Sequence, residues 1–258
     1  MLWMSQWRAV VGRVVLELLR SRRNLIFWTV FPALMLLLFG MIYAGGRSTA
    51  TSFDSTAPGI LVGAALFFSM LSGPLTLLVG EREHGTLRRL LLSPLAPSAY
   101  FAGVATAFLL VAGWQALVVY GIAGVFGGRF HGSFALGTAL VLMSALAYIG
   151  IGFYFGAVLA KRSEEVTSPV AAIGVPLLVL GGTFFSVDVL PPSLLAMTHM
   201  NPVYHMNHAL REVSAHGASL ADVGSSFAFL LVTCLGALLL GARAYAGLLQ
   251  RERAGGVL

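Results

Sequence analysis

Residues 79–94 read VGEREHGTLRRLLLSP. Glu81, Arg82, Glu83, Arg88 and Arg89 carry charge, and on either side the chain runs uncharged for more than 20 residues. About 20 apolar residues are enough for a helix to cross the hydrocarbon core of a bilayer. Both flanks can therefore cross, and the island between them is a loop at a membrane surface. Within it Gly85 breaks a helix, Thr86 offers a cap for a new one, and Ser93-Pro94 ends it. Leu87, Leu90 and Leu91 fall on one face of that short helix, with Arg88 and Arg89 on the other. The pattern predicts a surface helix with leucines toward the membrane and arginines away. Arginines alone would keep the loop on the cytoplasmic side. The added glutamates, glycine break and capped turn fit a docking surface for a cytoplasmic partner.

The rest of the chain agrees with the membrane reading. It has 258 residues, 58% hydrophobic and 10% charged, with a mean hydropathy of +0.87. Soluble domains carry about 25% charged residues, so this chain is too apolar to cover a water-soluble globule. Of its 16 basic residues 15 are arginine, and they cluster at the ends of apolar runs. That placement matches lipid headgroups and topology and gives no nucleic-acid surface. The lone Cys234 excludes an internal disulfide.

Six uncharged runs predict six spans, at 25–44, 57–80, 95–126, 133–160, 166–187 and 223–242. The third and fourth exceed one crossing, so tilting, extension past the bilayer, or a break at a glycine such as Gly113, Gly150 or Gly152 is expected. Pro32, Pro74 and Pro176 lie inside spans, which membrane helices tolerate. The basic residues at 8–23, 82–89, 161–162 and 243–253 share one side, leaving Arg47, Arg129 and Arg211 on the other. Both termini are therefore expected in the cytoplasm. The first run exceeds the core of about 7–15 residues of a cleavable signal, although Ala44-Gly45-Gly46 resembles a cleavage site. The expected organisation is one transmembrane domain over 1–258: an interfacial helix over 1–23, a six-span bundle over 24–247 and a tail over 248–258.

Two regions outside the spans are patterned. Before the first span, Trp7, Val10, Val11, Val14, Val15, Leu18 and Leu19 recur at helical spacing, opposite Arg8, Arg13, Glu17 and Arg20. This predicts an amphipathic helix in the interface plane, packed across its own spans or on a partner. Between the fifth and sixth spans, Pro191-Pro192 opens one short helix and Asn201-Pro202 a second, with Asn201 as N-cap. Val203, Met206, Leu210 and Val213 share a face of the second, so two short outer-leaflet helices are expected. His199, His205, His208 and His216 lie here. His205 and His208 are three apart and could face one metal, but without cysteine or a carboxylate pair the interfacial reading is preferred and no metal site is assigned.

Several chemistries are missing. No G-x-x-x-x-G-K-[ST] loop exists, and the single lysine, Lys161, follows Ala160, so the chain has no phosphate-binding loop of its own. There is no G-x-S-x-G and no H-E-x-x-H. No charge sits centrally in a span, which counts against an ion-coupled carrier. A non-transport scaffold that recruits a soluble protein is the other alternative.

Glu-x-x-Gly-Thr, followed by leucines, arginines and Ser-Pro at 81–94, resembles the coupling-helix region of type-2 ATP-binding cassette (ABC) exporter permeases. RNLIFWTVFPALMLLLFGMIYA at 23–44 resembles their first span. GGTFFSVDVLPPSLLAMTHMNPVYHMNHALREV at 181–213 resembles their fifth span, outer helices, Asn-Pro and closing Leu-Arg. FWTVFP and NPVYHMNHALR are nearest to the drug-exporting members. The resemblance covers nearly the whole chain and implies an all-α membrane protein with six transmembrane helices and both ends inside. It implies an efflux permease, not an enzyme, in the bacterial cytoplasmic (inner) membrane. Two copies of a separate ABC ATPase would bind ATP and Mg, and a second copy of this chain or a homologous permease would complete a dimer among membrane lipids. ATPase coupling would fall to Glu81, Arg82, Glu83, Gly85, Thr86, Arg88 and Arg89, and to the N-terminal helix through Trp7, Val11, Val14 and Leu18. Pro191, Asn201, Pro202, Leu210 and Arg211 would belong to the outer exit helices. Phe67, Phe68, Phe184 and Phe185 would line a pathway for a hydrophobic drug, lipid or glycolipid, with polysaccharide or lipid-linked glycan export as the alternative.

Overall fold

A computed structural model describes residues 2–158 and 167–254, and these are helical with short connections. In chain order the helices are α1 (Leu2–Arg20), α2 (Arg22–Ala44), α3 (Thr49–Gly59), a π-helix (Ile60–Leu71), α4 (Ser72–Glu83), α5 (Thr86–Leu91), α6 (Pro97–Val125), α7 (Phe134–Val158), α8 (Thr167–Leu180), α9 (Pro192–Thr198), α10 (Pro202–His216) and α11 (Gly224–Ala254). Lys161 and Arg162, used above to orient the chain, lie outside the described residues.

Among the described residues five helical stretches are long and apolar enough to cross a membrane: Arg22–Ala44, Thr49–Glu83, Pro97–Val125, Phe134–Val158 and Gly224–Glu252. The expected fifth span, 166–187, differs. Its described helix α8, Thr167–Leu180, stops at Leu180, short of the expected end at 187. A turn at Gly181-Gly182 ends it, with Gly182 at φ +69°.

The second crossing starts earlier than hydropathy predicts. TATSFDSTAPG is polar, yet it forms α3, because Ser48 caps Thr51 and the hydroxyls of Ser55 and Thr56 turn back to the Ser52 carbonyl. Between Pro58 and Pro74, each lacking an N–H, the helix winds in wider i→i+5 turns over Ile60–Leu71. This crossing is the centre of the bundle: 78% of its apolar window is buried, against 22% for α2 and 28% for α11. A buried polar chain braces it, Ser69 Oγ donating to Gln115 Oε1 at 2.8 Å and Gln115 Nε2 to the Trp28 carbonyl at 2.9 Å.

No break occurs at Gly113, Gly150 or Gly152; α6 and α7 run through them. At Gly150 the missing side chain serves close approach instead. A Cβ there would stand 2.5 Å from the Ala237 backbone, and one at Gly241 would stand 2.5 Å from the Gly150 carbonyl oxygen. Small residues let two membrane helices touch backbone to backbone, and α7 and α11 pair along this line.

The bundle has two distinct ends. The end carrying α1, α5 and the close of α4 and α11 is called the island end. The other carries α3, α9, α10 and the turn after α8, and is called the cavity end. Arg47, Arg129 and Arg211 sit at the cavity end.

Candidate functional site

At the island end, α4 closes at Glu83 and Gly85 takes a left-handed conformation, φ +67°. Residues with a side chain rarely hold that conformation, so Gly85 sets the angle at which α5 leaves. Gly85, not Thr86, occupies the cap position, and no side chain caps the helix. Leu87 and Leu90 do not turn to lipid as expected, and the Leu91 side chain falls outside the description. Leu87 is 1% exposed, and with Leu90 it packs against Tyr100, Tyr245 and Leu249 at the foot of α6 and α11. Apolar burial against the bundle thus fixes α5 from beneath. Glu83 and Arg89 are on the exposed side. Arg88 lies in α5; its side chain falls outside the description.

Glu81 faces inward and is 6% exposed. One of its carboxylate oxygens pairs with Arg13 Nη2 of α1, and the other accepts from the Tyr100 hydroxyl of α6 at 2.5 Å. The Tyr100 ring stacks on Tyr245 of α11 at 5.1 Å. A single buried carboxylate thus joins α1, α4 and α6, with α11 stacked behind. A lone carboxylate at that depth would be costly to desolvate, and pairing plus hydrogen bonding offsets this. Burial works against the Arg13 charge, but the Glu81 carboxylate and its hydrogen bond outweigh that and hold its pKa above the ordinary arginine value. Arg82 is also turned to its own chain, 3.7 Å from Glu252 of α11 and 3.4 Å from the Gly156 carbonyl of α7.

Helix α1 lies along α6. Val14 is fully buried and Val10 seats against Gly103. Trp7 Nε1 donates to Thr106 Oγ1 at 3.1 Å, and Gln6 bridges the Pro94 carbonyl and the Ala96 N–H. Val11 and Leu18 are half-buried beside them. The apolar face is therefore spent largely on α6, one of the chain's own crossings, and Arg13, on the charged side of the sequence pattern, points in to Glu81.

At the cavity end a space of about 670 Å³ opens between α2, α3, the turn after α8 and α10. Helix α10 forms its wall as the pattern predicts. The Asn201 side chain accepts from the Val203 N–H at 3.0 Å and donates to the Leu177 carbonyl at 2.7 Å, Pro202 opens the helix, and Val203, Met206, Leu210 and Val213 are buried. Opposite them Arg211 lines the cavity. Its Nε donates to the Ser55 carbonyl at 3.0 Å and Nη2 to the Gly182 carbonyl at 3.1 Å. Asn207 Nδ2 donates to the Gly181 carbonyl at 2.8 Å, and the Tyr43 hydroxyl to the Phe184 carbonyl at 2.8 Å. The turn after α8 is thus tied on one side to α10 and on the other to α2.

The four predicted pathway aromatics separate. Phe184 and Phe185 line the cavity, Phe184 stacking on Phe39 at 5.4 Å. Phe67 is buried against Tyr148 and Phe68, and Phe68 meets the edge of Phe31, all inside the bundle. Pro191 precedes α9 at its cap position. The histidines gather on an aromatic ring: His199, His205 and His208 each contact Tyr204 at 5.2–5.5 Å. His205 also bonds Ser226 Oγ and the His199 carbonyl. Among the described residues no three metal-binding side chains converge. Burial, opposed by Glu212, leaves the pKa of His208 below the ordinary histidine value. Sequence reasoning missed Arg13 and Tyr100 as partners of Glu81, Tyr245 stacked behind them, and Tyr43, Tyr204 and Asn207 on the cavity. Only Asn207 carried a local signal, as a polar residue inside the buried stripe of α10.

Comparison with known proteins supports the same assignment. The family model for the ABC-2 type transporter matches residues 5–214. The chain is 32% identical over 154 residues to the probable multidrug ABC transporter permease YbhR of Escherichia coli K12, covering 59% of this chain and 41% of that protein. It is 26% identical over 218 residues to the putative transport permease ycf38 of Cyanophora paradoxa, covering 82% and 74%. To the inner membrane transport permease YhhJ of Escherichia coli K12 it is 26% identical over 158 residues, covering 60% and 41%. The chain thus spans about two-fifths of the length of YbhR and of YhhJ. An all-helical bundle with five membrane-long helices, matched by one family model over most of its length, makes this a multi-pass membrane protein, and the chain belongs to the ABC-2 type transporter family.

Proposed function

We propose that the chain is the permease subunit of an exporter in the bacterial inner membrane, driven by a separate ABC ATPase that binds ATP and Mg. In this reading the island end faces the cytoplasm, α8 completes a sixth crossing, and the cavity opens outward as the exit. Two ATPase copies and a second permease would complete the assembly. The single observation that carries the reading is α5. It leaves α4 at a fixed angle through Gly85, is anchored below by Leu87 and keeps Arg89 exposed, while Glu81 ties the same corner to α1, α6 and α11. A push on α5 would reach four helices at once. These 258 residues hold no phosphate-binding loop, so in this reading the force comes from an ATPase outside them.

The transported molecule is proposed to be an amphipathic drug, lipid or glycolipid. Phe184 and Phe185 offer it an apolar surface, and Arg47, Arg211 and Glu212 a polar one. That polar wall also favours the second reading, export of a lipid-linked glycan. The test is ATP hydrolysis in proteoliposomes. The chain alone should show none, and with its cassette partner it should show hydrolysis that Arg89→Ala uncouples from transport. Because Arg89 is exposed, that change should move stability by no more than about 0.5 kcal/mol. Robust hydrolysis by the isolated chain, or full transport by Arg89→Ala, would overturn the proposal.

A further inference from the structure

A groove where α1, α2 and α6 meet takes no part in either end. It encloses about 510 Å³ between Leu18 and Leu19 of α1, Ile26 of α2, and Leu110, Val111 and Trp114 of α6. Thr29 is its only polar wall, and the Thr29 hydroxyl already accepts from Trp114 Nε1 at 3.2 Å. The lining is therefore dry. It is also open to the outside of the bundle, with Leu19 58%, Ile26 61% and Leu110 58% exposed. Apolar walls that are open in this way suit an acyl chain.

The end of the groove has a different character. Helix α1 closes at Arg20 and α2 opens at Arg22-Arg23, with Ser21 between them. Arg22 lies one turn before Leu25 and Ile26, so helical spacing sets it above the groove on the same side of α2. Arg20, Arg22 and Arg23 are exposed, and no ion pair holds them among the described residues. Glu17, one turn back, is the nearest acidic residue in sequence and leaves residues 17–23 with a net charge of +2. Three guanidinium groups at the mouth of an apolar slot are complementary to a phosphate joined to a hydrocarbon tail. Arginine presents a planar fork of donors matched to phosphate oxygens, and basic pockets between membrane helices bind anionic headgroups.

We propose that this groove binds one anionic phospholipid of the leaflet nearest the island end. The phosphate sits at the Arg20–Arg22–Arg23 corner and one acyl chain lies between α1, α2 and α6. A lipid seated there would bridge the interfacial helix to two crossings. The proposal stands on groove and charge alone, so it does not depend on the ATPase reading.

The test uses the full chain purified in detergent and native mass spectrometry with phosphatidylglycerol or phosphatidylcholine of identical acyl chains. Wild type should retain one phosphatidylglycerol in preference to phosphatidylcholine by about tenfold or more, as several basic contacts allow. The triple change Arg20→Gln, Arg22→Gln, Arg23→Gln should abolish the preference. Leu110→Trp should fill the groove and displace both lipids, and Ile26→Trp serves if the first variant does not fold. Leu117→Trp, on an exposed part of α6 outside the groove, should change nothing. Equal retention of the two lipids by wild type, an unchanged preference in the triple variant, or retention unaffected by both groove-filling variants would each overturn the site. So would loss of dimers with lipid retention intact in Leu110→Trp, which would make a second copy of the chain the occupant.

Discussion

Glu81 and Arg211 are both charged groups held back from water near opposite ends of the central crossing, and they are neutralised differently. Glu81 meets an opposite charge and a phenol, supplied by two other helices. Arg211 rests on the backbone carbonyls of Ser55 and Gly182 and lines open space. An ion pair between side chains is unforgiving, because removing one member strands the other. Carbonyl oxygens supply partial rather than full negative charge, and Arg211 meets two of them at the cavity wall. In the proposed reading the island end is a joint that transmits position, and the cavity end a surface that meets a solute.

Three changes probe this contrast, in descending order of effect. Glu81→Ala strands Arg13 and the Tyr100 hydroxyl. Because Arg13 is 34% exposed, the loss should be about 2–3 kcal/mol, below the figure for a fully buried pair. It would be read as a fall in Tm in detergent, and an equal fall in Arg13→Ala with no further fall in the double variant would show the two acting as one unit. Arg211→Met removes two charge-assisted bonds to carbonyls and should cost about 1–2 kcal/mol, with a larger effect on transport than on Tm. If Arg211→Met lowered Tm as much as Glu81→Ala, the contrast would fail.

The smallest effect is that of pH. The pKa of His208 in the folded protein lies below the ordinary value of 6.5 because burial disfavours its charge. As pH falls through 6.5 the unfolded chain takes up this proton first, so folded stability declines on the acid side. The expected loss is a Tm shift of about 1–2 °C, abolished in His208→Gln. A shift that survived His208→Gln would place the titrating group elsewhere.

The start of helix α10 and its buried stripe were legible in sequence. Asn201-Pro202 and the spacing of Val203, Met206, Leu210 and Val213 are local signals, and local signals survive folding. The start of the second crossing was not legible. Hydropathy cannot see that the hydroxyls of Ser55 and Thr56 would be satisfied by their own helix. A break at Gly150 is one of three readings of the long α7 run, and its actual use, room for the α11 backbone, belongs to the partner helix. Glu81 was read as facing a partner protein, since a charge at the end of an apolar run looks outward. Its true partner is 68 residues away, and no periodicity reaches that far. The aromatic pairs inside the bundle were hidden for the same reason, and Phe67 and Phe68 were assigned to the pathway from their type alone.

The distance between Arg13 and Glu81 also sets an order of events. A ribosome adds about 5–20 residues each second, so Arg13 is made several seconds before Glu81. By the time the carboxylate reaches the membrane, the helix carrying its cation already exists beside the first crossing. Glu81 need not wait unpaired for a later segment to arrive. A gene rearranged to encode α1 last would keep every contact of the finished fold. It would nonetheless leave a bare carboxylate at the bilayer edge for the whole of synthesis, exposed to misplacement and proteolysis that the natural order avoids.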